Sequence, residues 1–167
     1  MDIQSNSLEV INTEFRNSIA EKGSAVSITP SNANASFKFT SCIFDTLLAA
    51  TYGAAVYIPE AINSTVLTME SCTFTGIVSN SGGAVYVYYA VKLENPGDFY
   101  DVFPNITMKS SNSSHVYASQ GGLIYAENSN VTLLNIESTE NDPAHVTQAG
   151  ISLKGYLAAI HILGAYI

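Results

Sequence analysis

The chain has 167 residues, 47% of them apolar, only 12% charged, and a net charge of −8. That is enough apolar content for one cored domain. The six basic residues, Arg16, Lys22, Lys38, Lys92, Lys109 and Lys154, are scattered, which argues against a nucleic-acid partner, because phosphate binding needs clustered cations. No apolar run is long enough to span a membrane as a helix, and Met1–Val10 lacks the basic and apolar regions of a signal peptide.

The first element is a strand with apolar Leu8 and Val10 in alternation. Parity then shifts at Asn12, so that Thr13 and Phe15 sit on the other phase, as at a corner between two strands. "GSAVSI" at Gly23 follows, a glycine turn leading into a β-branched run. The same sentence is then spelled again: Phe37 and Phe39, a bend at Ser41, Cys42 and Phe44, and "GAAVYI" at Gly53. A third copy runs Leu67 and Met69, a bend at Ser71, Cys72 and Phe74, and "GGAVYV" at Gly82. Next comes an insertion, Val91 to Pro104, with turn chemistry at Asn95-Pro96-Gly97. Ile106 and Met108 open the fourth copy, which reaches "GGLIYA" at Gly121. Val131 and Leu133 open the fifth, with a degraded "AGISLK" at Ala149, and Ile160 and Ile162 open the last.

The leading apolar residues Leu8, Phe37, Leu67, Ile106, Val131 and Ile160 are spaced by 29, 30, 39, 25 and 29 residues. Repeats of about this length, made only of short strands and corners, stack as a solenoid in which like residues lie about 4.8 Å apart. The expected fold is therefore an all-β parallel β-helix of five to six coils of 25–39 residues, in a single domain over 1–167. The spelling C-x-F…G-[GAS]-A-V-Y resembles repeats of bacterial polymorphic outer membrane proteins and of large ciliate surface proteins. The resemblance implies the right-handed, pectin-lyase-like class of β-helix and an extracellular or cell-surface setting.

Several groups carry candidate chemistry. Cys42 and Cys72 share a register one coil apart. They either bridge the two coils, at a spacing inside the disulfide range, or serve as small inward thiols. Five N-x-[ST] sequons, Asn34, Asn63, Asn105, Asn112 and Asn130, are either glycan acceptors on one edge of the solenoid or an asparagine ladder at a corner. Tyr57, Tyr86 and Tyr125 are expected as an outward ladder, either self-stacked or an apolar face for a partner or sugar. Asp98, Phe99, Tyr100, Asp101 and Phe103 form a candidate binding loop or a flap folded onto its coil. No cofactor is expected. No metal site is expected either, since no histidine or third cysteine shares the cysteine register.

The outward column Glu9, Lys38, Thr68, Thr107, Thr132, His161 offers no paired acids, and His115, His145 and His161 lie beside no nucleophile motif. A non-catalytic structural or adhesive surface or filament protein is the leading expectation. A carbohydrate-binding module is second, and a polysaccharide lyase or hydrolase third. The expected partners are further coils, of a longer chain or of another copy stacked head to tail, and glycans. The chain opens in a strand and stops after half a coil, so it is expected to be a segment of a longer solenoid or a fibre subunit.

Overall fold

A computed structural model describes residues 1–89, 103–139, 151–154 and 160–163. All regular structure among them is strand. The first coil supplies β1 (Asp2–Ser5), β2 (Ser7–Ile11), β3 (Glu14–Lys22) and β4 (Val26–Pro30). The second supplies β5 (Ser36–Thr40), β6 (Ile43–Tyr52) and β7 (Val56–Ile58), and the third β8 (Val66–Glu70), β9 (Thr73–Ser81) and β10 (Val85–Tyr88). Then come β11 (Asn105–Lys109), β12 (Asn112–Gln120) and β13 (Ile124–Glu127). The last are β14 (Asn130–Leu134), β15 (Glu137–Thr139), β16 (Ile151–Lys154) and β17 (Ile160–Leu163).

These strands form three parallel sheets, within each of which equivalent strands of successive coils are neighbours. Sheet A is β1-β4-β7-β10-β13-β16, sheet B is β2-β5-β8-β11-β14-β17 and sheet C is β3-β6-β9-β12-β15. Each strand pairs with its equivalent about one repeat away and not with its sequence neighbour, so the fold is a parallel β-helix. The inward columns run as the repeat requires. Leu8, Phe37, Leu67, Ile106, Val131 and Ile160 are successive partners in sheet B. Phe37, Phe39, Phe44, Met69 and Phe74 have no exposed surface, and Leu67 is buried with them in one core cluster. Phe44 stacks face to face between Phe15 at 5.0 Å and Phe74 at 5.1 Å.

Left-handed residues make the corners, and they stack as the strands do. Asn12, Ser41, Ser71, Ser110 and Asn135 all have φ between 48° and 55° where sheet B turns into sheet C. Gly23, Gly53, Gly82 and Gly121, with φ between 47° and 63°, turn the chain between sheets C and A. Here glycine is required twice over. A Cβ on Gly53 would lie 2.6 Å from the Val56 carbonyl oxygen, and one on Gly83 would overlap the Gly122 carbonyl of the next coil.

A further left-handed column, Asn17, Thr46, Gly76 and His115, lies inside the sheet C strands. It kinks each strand and reverses its parity, so Phe44 and Leu47, three residues apart, both face the core. The sequence reading placed only two bends per coil in this region; this third kink is an addition to it.

Candidate interaction surface

The kink decides what sheet C shows to solvent. Beyond it, Ile19 pairs with Leu48, Leu48 with Val78 and Val78 with Tyr117. Ile19 is 78% exposed, and Leu48 and Val78 are each 42% exposed. They form an aliphatic ladder on the outside of three successive coils, and half-buried Tyr117 continues it in the fourth. Scattered exposed apolar residues need no explanation, but a contiguous file of them does. Alternation along β3, β6 and β9 does not reveal the ladder, because the kink reverses parity within each strand. Its trace is the adjacent apolar pairs Leu47-Leu48, Ile77-Val78 and Val116-Tyr117, of which one member faces in and the other out.

The outward tyrosines are more covered than the aliphatic ladder. Tyr57, Tyr86 and Tyr125 are partners on the outward side of sheet A, and Tyr86 stacks on Tyr125 at 5.0 Å and packs on Tyr57 at 5.4 Å. Yet Tyr57 is only 8% and Tyr125 only 5% exposed. Part of the cover is Tyr52, whose ring lies 4.6 Å from that of Tyr86 and 6.0 Å from that of Tyr57. Its position comes from a one-residue bulge between Leu48 and Tyr52. Burial, reinforced by the neighbouring tyrosines, raises the Tyr86 hydroxyl above the ordinary phenol range. The ring faces are thus turned on one another, as in the self-stacked alternative.

Cys42 and Cys72 are both free and buried in this structure. Their position has its own logic. In four coils the residue after the sheet B–C corner donates its side chain to the carbonyl two residues earlier. Thr13 reaches Ile11 at 3.0 Å, Cys42 reaches Thr40 at 3.4 Å, Cys72 reaches Glu70 at 3.5 Å and Ser111 reaches Lys109 at 2.9 Å. The thiols are thus the apolar members of a donor ladder. Burial pushes Cys72 up to about 11.

The sequons separate into two groups. Asn34 and Asn112 are exposed, while Asn63, Asn105 and Asn130 are half-buried. Asn130 Nδ2 donates to Asn105 Oδ1 at 3.2 Å, and Asn105 Nδ2 donates to the Phe103 carbonyl at 3.3 Å. The Tyr89 hydroxyl donates to Asn63 Oδ1. Of the candidate loop, Asp98, Phe99, Tyr100 and Asp101 lie outside the described residues. Phe103 is half-buried, packs against the core and meets Tyr89 edge-on at 6.2 Å.

Charges on the outer faces pair along the stack. Lys38 lies 3.5 Å from Glu9 and Lys109 lies 2.8 Å from Glu70, whose carboxyl is held below its ordinary range by that contact. Among the described residues no three His, Cys, Asp or Glu side chains converge as metal ligands. His115 stands in the sheet C kink and His161 on β17 of sheet B, while His145 lies outside the described residues. No helix among the described residues is long and apolar enough to cross a membrane.

Ser71–Tyr88 spans the B–C corner, all of β9 and the glycine turn into β10. Residues 71–88 match the Chlamydia polymorphic membrane protein repeat. No curated protein and no solved structure matches the chain. The matched stretch is one half-coil of the solenoid. Its Cys72 and Phe74 face the core and its Gly82 and Gly83 fill the corner where a side chain would collide with backbone. The match therefore rests on residues that build a β-helix coil, and the chain is a β-helix repeat protein.

Proposed function

We propose that the protein is a non-catalytic, extracellular or cell-surface structural and adhesive β-helix whose contacts are made by its sheet faces. The observation that carries this reading is the exposed ladder of Ile19, Leu48 and Val78. The match of residues 71–88 to a polymorphic membrane protein repeat supports the surface setting. So does the outer surface, where Ser, Thr and Asn stand in place of most charges.

The occupant of the ladder is a second copy of this chain. On the four sheet C strands that carry the ladder, β3, β6, β9 and β12, the acidic and basic residues lie in the first two: Glu14, Arg16, Glu21 and Lys22 on β3 and Asp45 on β6. The matching positions on β9 and β12 include Thr73, Thr75, Asn80 and Ser114. A two-fold pairing sets the charged end of one copy against the uncharged end of the other, so no like charges oppose. It also brings Leu48 against Val78 of the partner copy. Stacking of coils end to end extends the same object along its axis.

Sedimentation of the purified chain tests the reading. The parent associates reversibly. Leu48→Glu stays monomeric with unchanged unfolding, and adding Val78→Lys to it restores association by placing opposite charges across the two-fold. Equal association of parent and Leu48→Glu refutes the assignment. Turnover of an acidic polysaccharide would refute the non-catalytic reading.

A further inference from the structure

The five sequons are identical in kind, but the fold treats them differently. We propose that Asn34 and Asn112 are the glycan-bearing asparagines of this chain and that Asn63, Asn105 and Asn130 stay bare; this rests on the extracellular reading above. In the modification, Nδ2 of asparagine attacks C1 of an oligosaccharide carried on a lipid pyrophosphate. The C–N bond forms, the C1–O bond to pyrophosphate breaks, one amide proton is lost and the lipid pyrophosphate leaves. A folded product must then hold a sugar at Nδ2, which requires an amide that is exposed and not needed elsewhere.

Asn34 meets this requirement. It is exposed at φ 62° in the turn between β4 and β5, and its backbone N–H is already paired with the Asn63 carbonyl at 3.2 Å. The turn is thus held by backbone alone. Buried Ala35 fixes the chain directly after it, and Ser36, the sequon hydroxyl, is exposed. Asn112 also meets it. It is the first residue of β12, exposed, in register with Thr73 on one side and exposed Glu137 on the other.

The other three fail for physical reasons. Asn105 and Asn130 are direct partners in adjacent strands. Strands of a sheet are about 4.8 Å apart, less than the width of two sugar rings side by side. Their amides also form the chain Asn130 Nδ2 to Asn105 Oδ1 and Asn105 Nδ2 to the Phe103 carbonyl. A sugar on either amide crowds that chain. Asn63 is half-buried, and its Oδ1 accepts from the hydroxyl of Tyr89, a side chain only 6% exposed, so its amide is packed against that side chain rather than standing in solvent. Its sequon hydroxyl, Thr65, is 1% exposed and donates to the Ile62 carbonyl at 2.6 Å.

The two acceptors bracket sheet B, Asn34 before β5 and Asn112 just past the corner that follows β11. The aliphatic ladder lies beyond the kink of sheet C, with Tyr117 of that ladder five residues along β12 from Asn112, so self-association is measured on unglycosylated protein.

The test expresses the full chain through a eukaryotic secretory pathway and removes N-glycans from the folded secreted fraction with a glycosidase in heavy-oxygen water. Peptide mass spectrometry then reads labelled aspartate at each former glycan site. Label at Asn34 and Asn112, with none at the other three, is the expected result. Asn34→Gln with Asn112→Gln abolishes all label, while the same variant made without glycosylation folds as the parent does by circular dichroism. Label at Asn63, Asn105 or Asn130 in folded protein, or none at Asn34 or at Asn112, overturns the assignment. Sedimentation of unglycosylated protein tests the surface-contact reading separately, so the two failures are distinguishable.

Discussion

Replacing Phe44 by alanine tests the stacked core at its centre. Phe44 has no exposed surface, lies between the parallel rings of Phe15 and Phe74 at 5.0 and 5.1 Å, and takes the edge of Phe39 at 5.9 Å. Truncating a buried phenylalanine costs about 3–5 kcal/mol. Each aromatic pair adds about 0.5–1.5 kcal/mol beyond area, and Phe44 loses three such pairs, so its cost falls near the upper end, about 5 kcal/mol. Phe15 is the internal control. It has the same register and the same ring partner, but it is half-buried and makes one of those contacts. Phe15→Ala should therefore cost about half as much, near 2 kcal/mol. Urea unfolding followed by far-ultraviolet circular dichroism measures both, read as a shift in midpoint at constant slope. Domains of this kind hold only about 5–15 kcal/mol in total, so the Phe44 variant needs low temperature and the start of the urea range. Equal losses at the two positions, or a Phe44→Ala loss below about 1 kcal/mol, would refute a continuous core packed by stacking.

Gly82→Ala forces a side chain into φ 63° and against the Val85 carbonyl oxygen; it should cost more than the roughly 1–2 kcal/mol of left-handed strain alone, measured by the same unfolding assay. Ser71→Gly, at φ 55° with no further role for its side chain in the corner, should be neutral or mildly stabilising in thermal melts, whereas Ser71→Val should lose about 1–2 kcal/mol. Cys72 is raised from 9.0 to about 11. The folded state therefore prefers the protonated thiol, its contribution is whole below pH 9, and stability falls as pH rises from there through 11. Cys72→Ser should flatten that part of the stability–pH curve, and a thiol reagent at pH 8 should label Cys72 only on unfolding. Tyr52→Ala uncovers Tyr57 and Tyr86 and should lower the pH at which tyrosinate absorbance appears, since burial is the main cause of their raised values.

The sequence by itself determined the repeat, the inward columns and the corners. Leu8-Phe37-Leu67-Ile106-Val131-Ile160 is a register that the strands then follow pair by pair. The parity shifts at Asn12, Ser41 and Ser71 fall on residues with φ near 50°. These were legible because each coil must match its neighbour, and periodicity reports that match directly. Periodicity reports which side of a strand a residue takes, and nothing about what lies over that side. Outward Tyr57 is covered, partly by Tyr52, which a one-residue bulge carries there, while outward Leu48 is open. Asn105 and Asn130 bond each other while Asn34, with the same sequon, stands in solvent. The kink at Asn17, Thr46, Gly76 and His115 uses four different residue types, so composition carries no common mark of it. Tertiary structure decided these points because exposure and hydrogen bonding belong to contacts between coils, between residues about thirty positions apart in the chain.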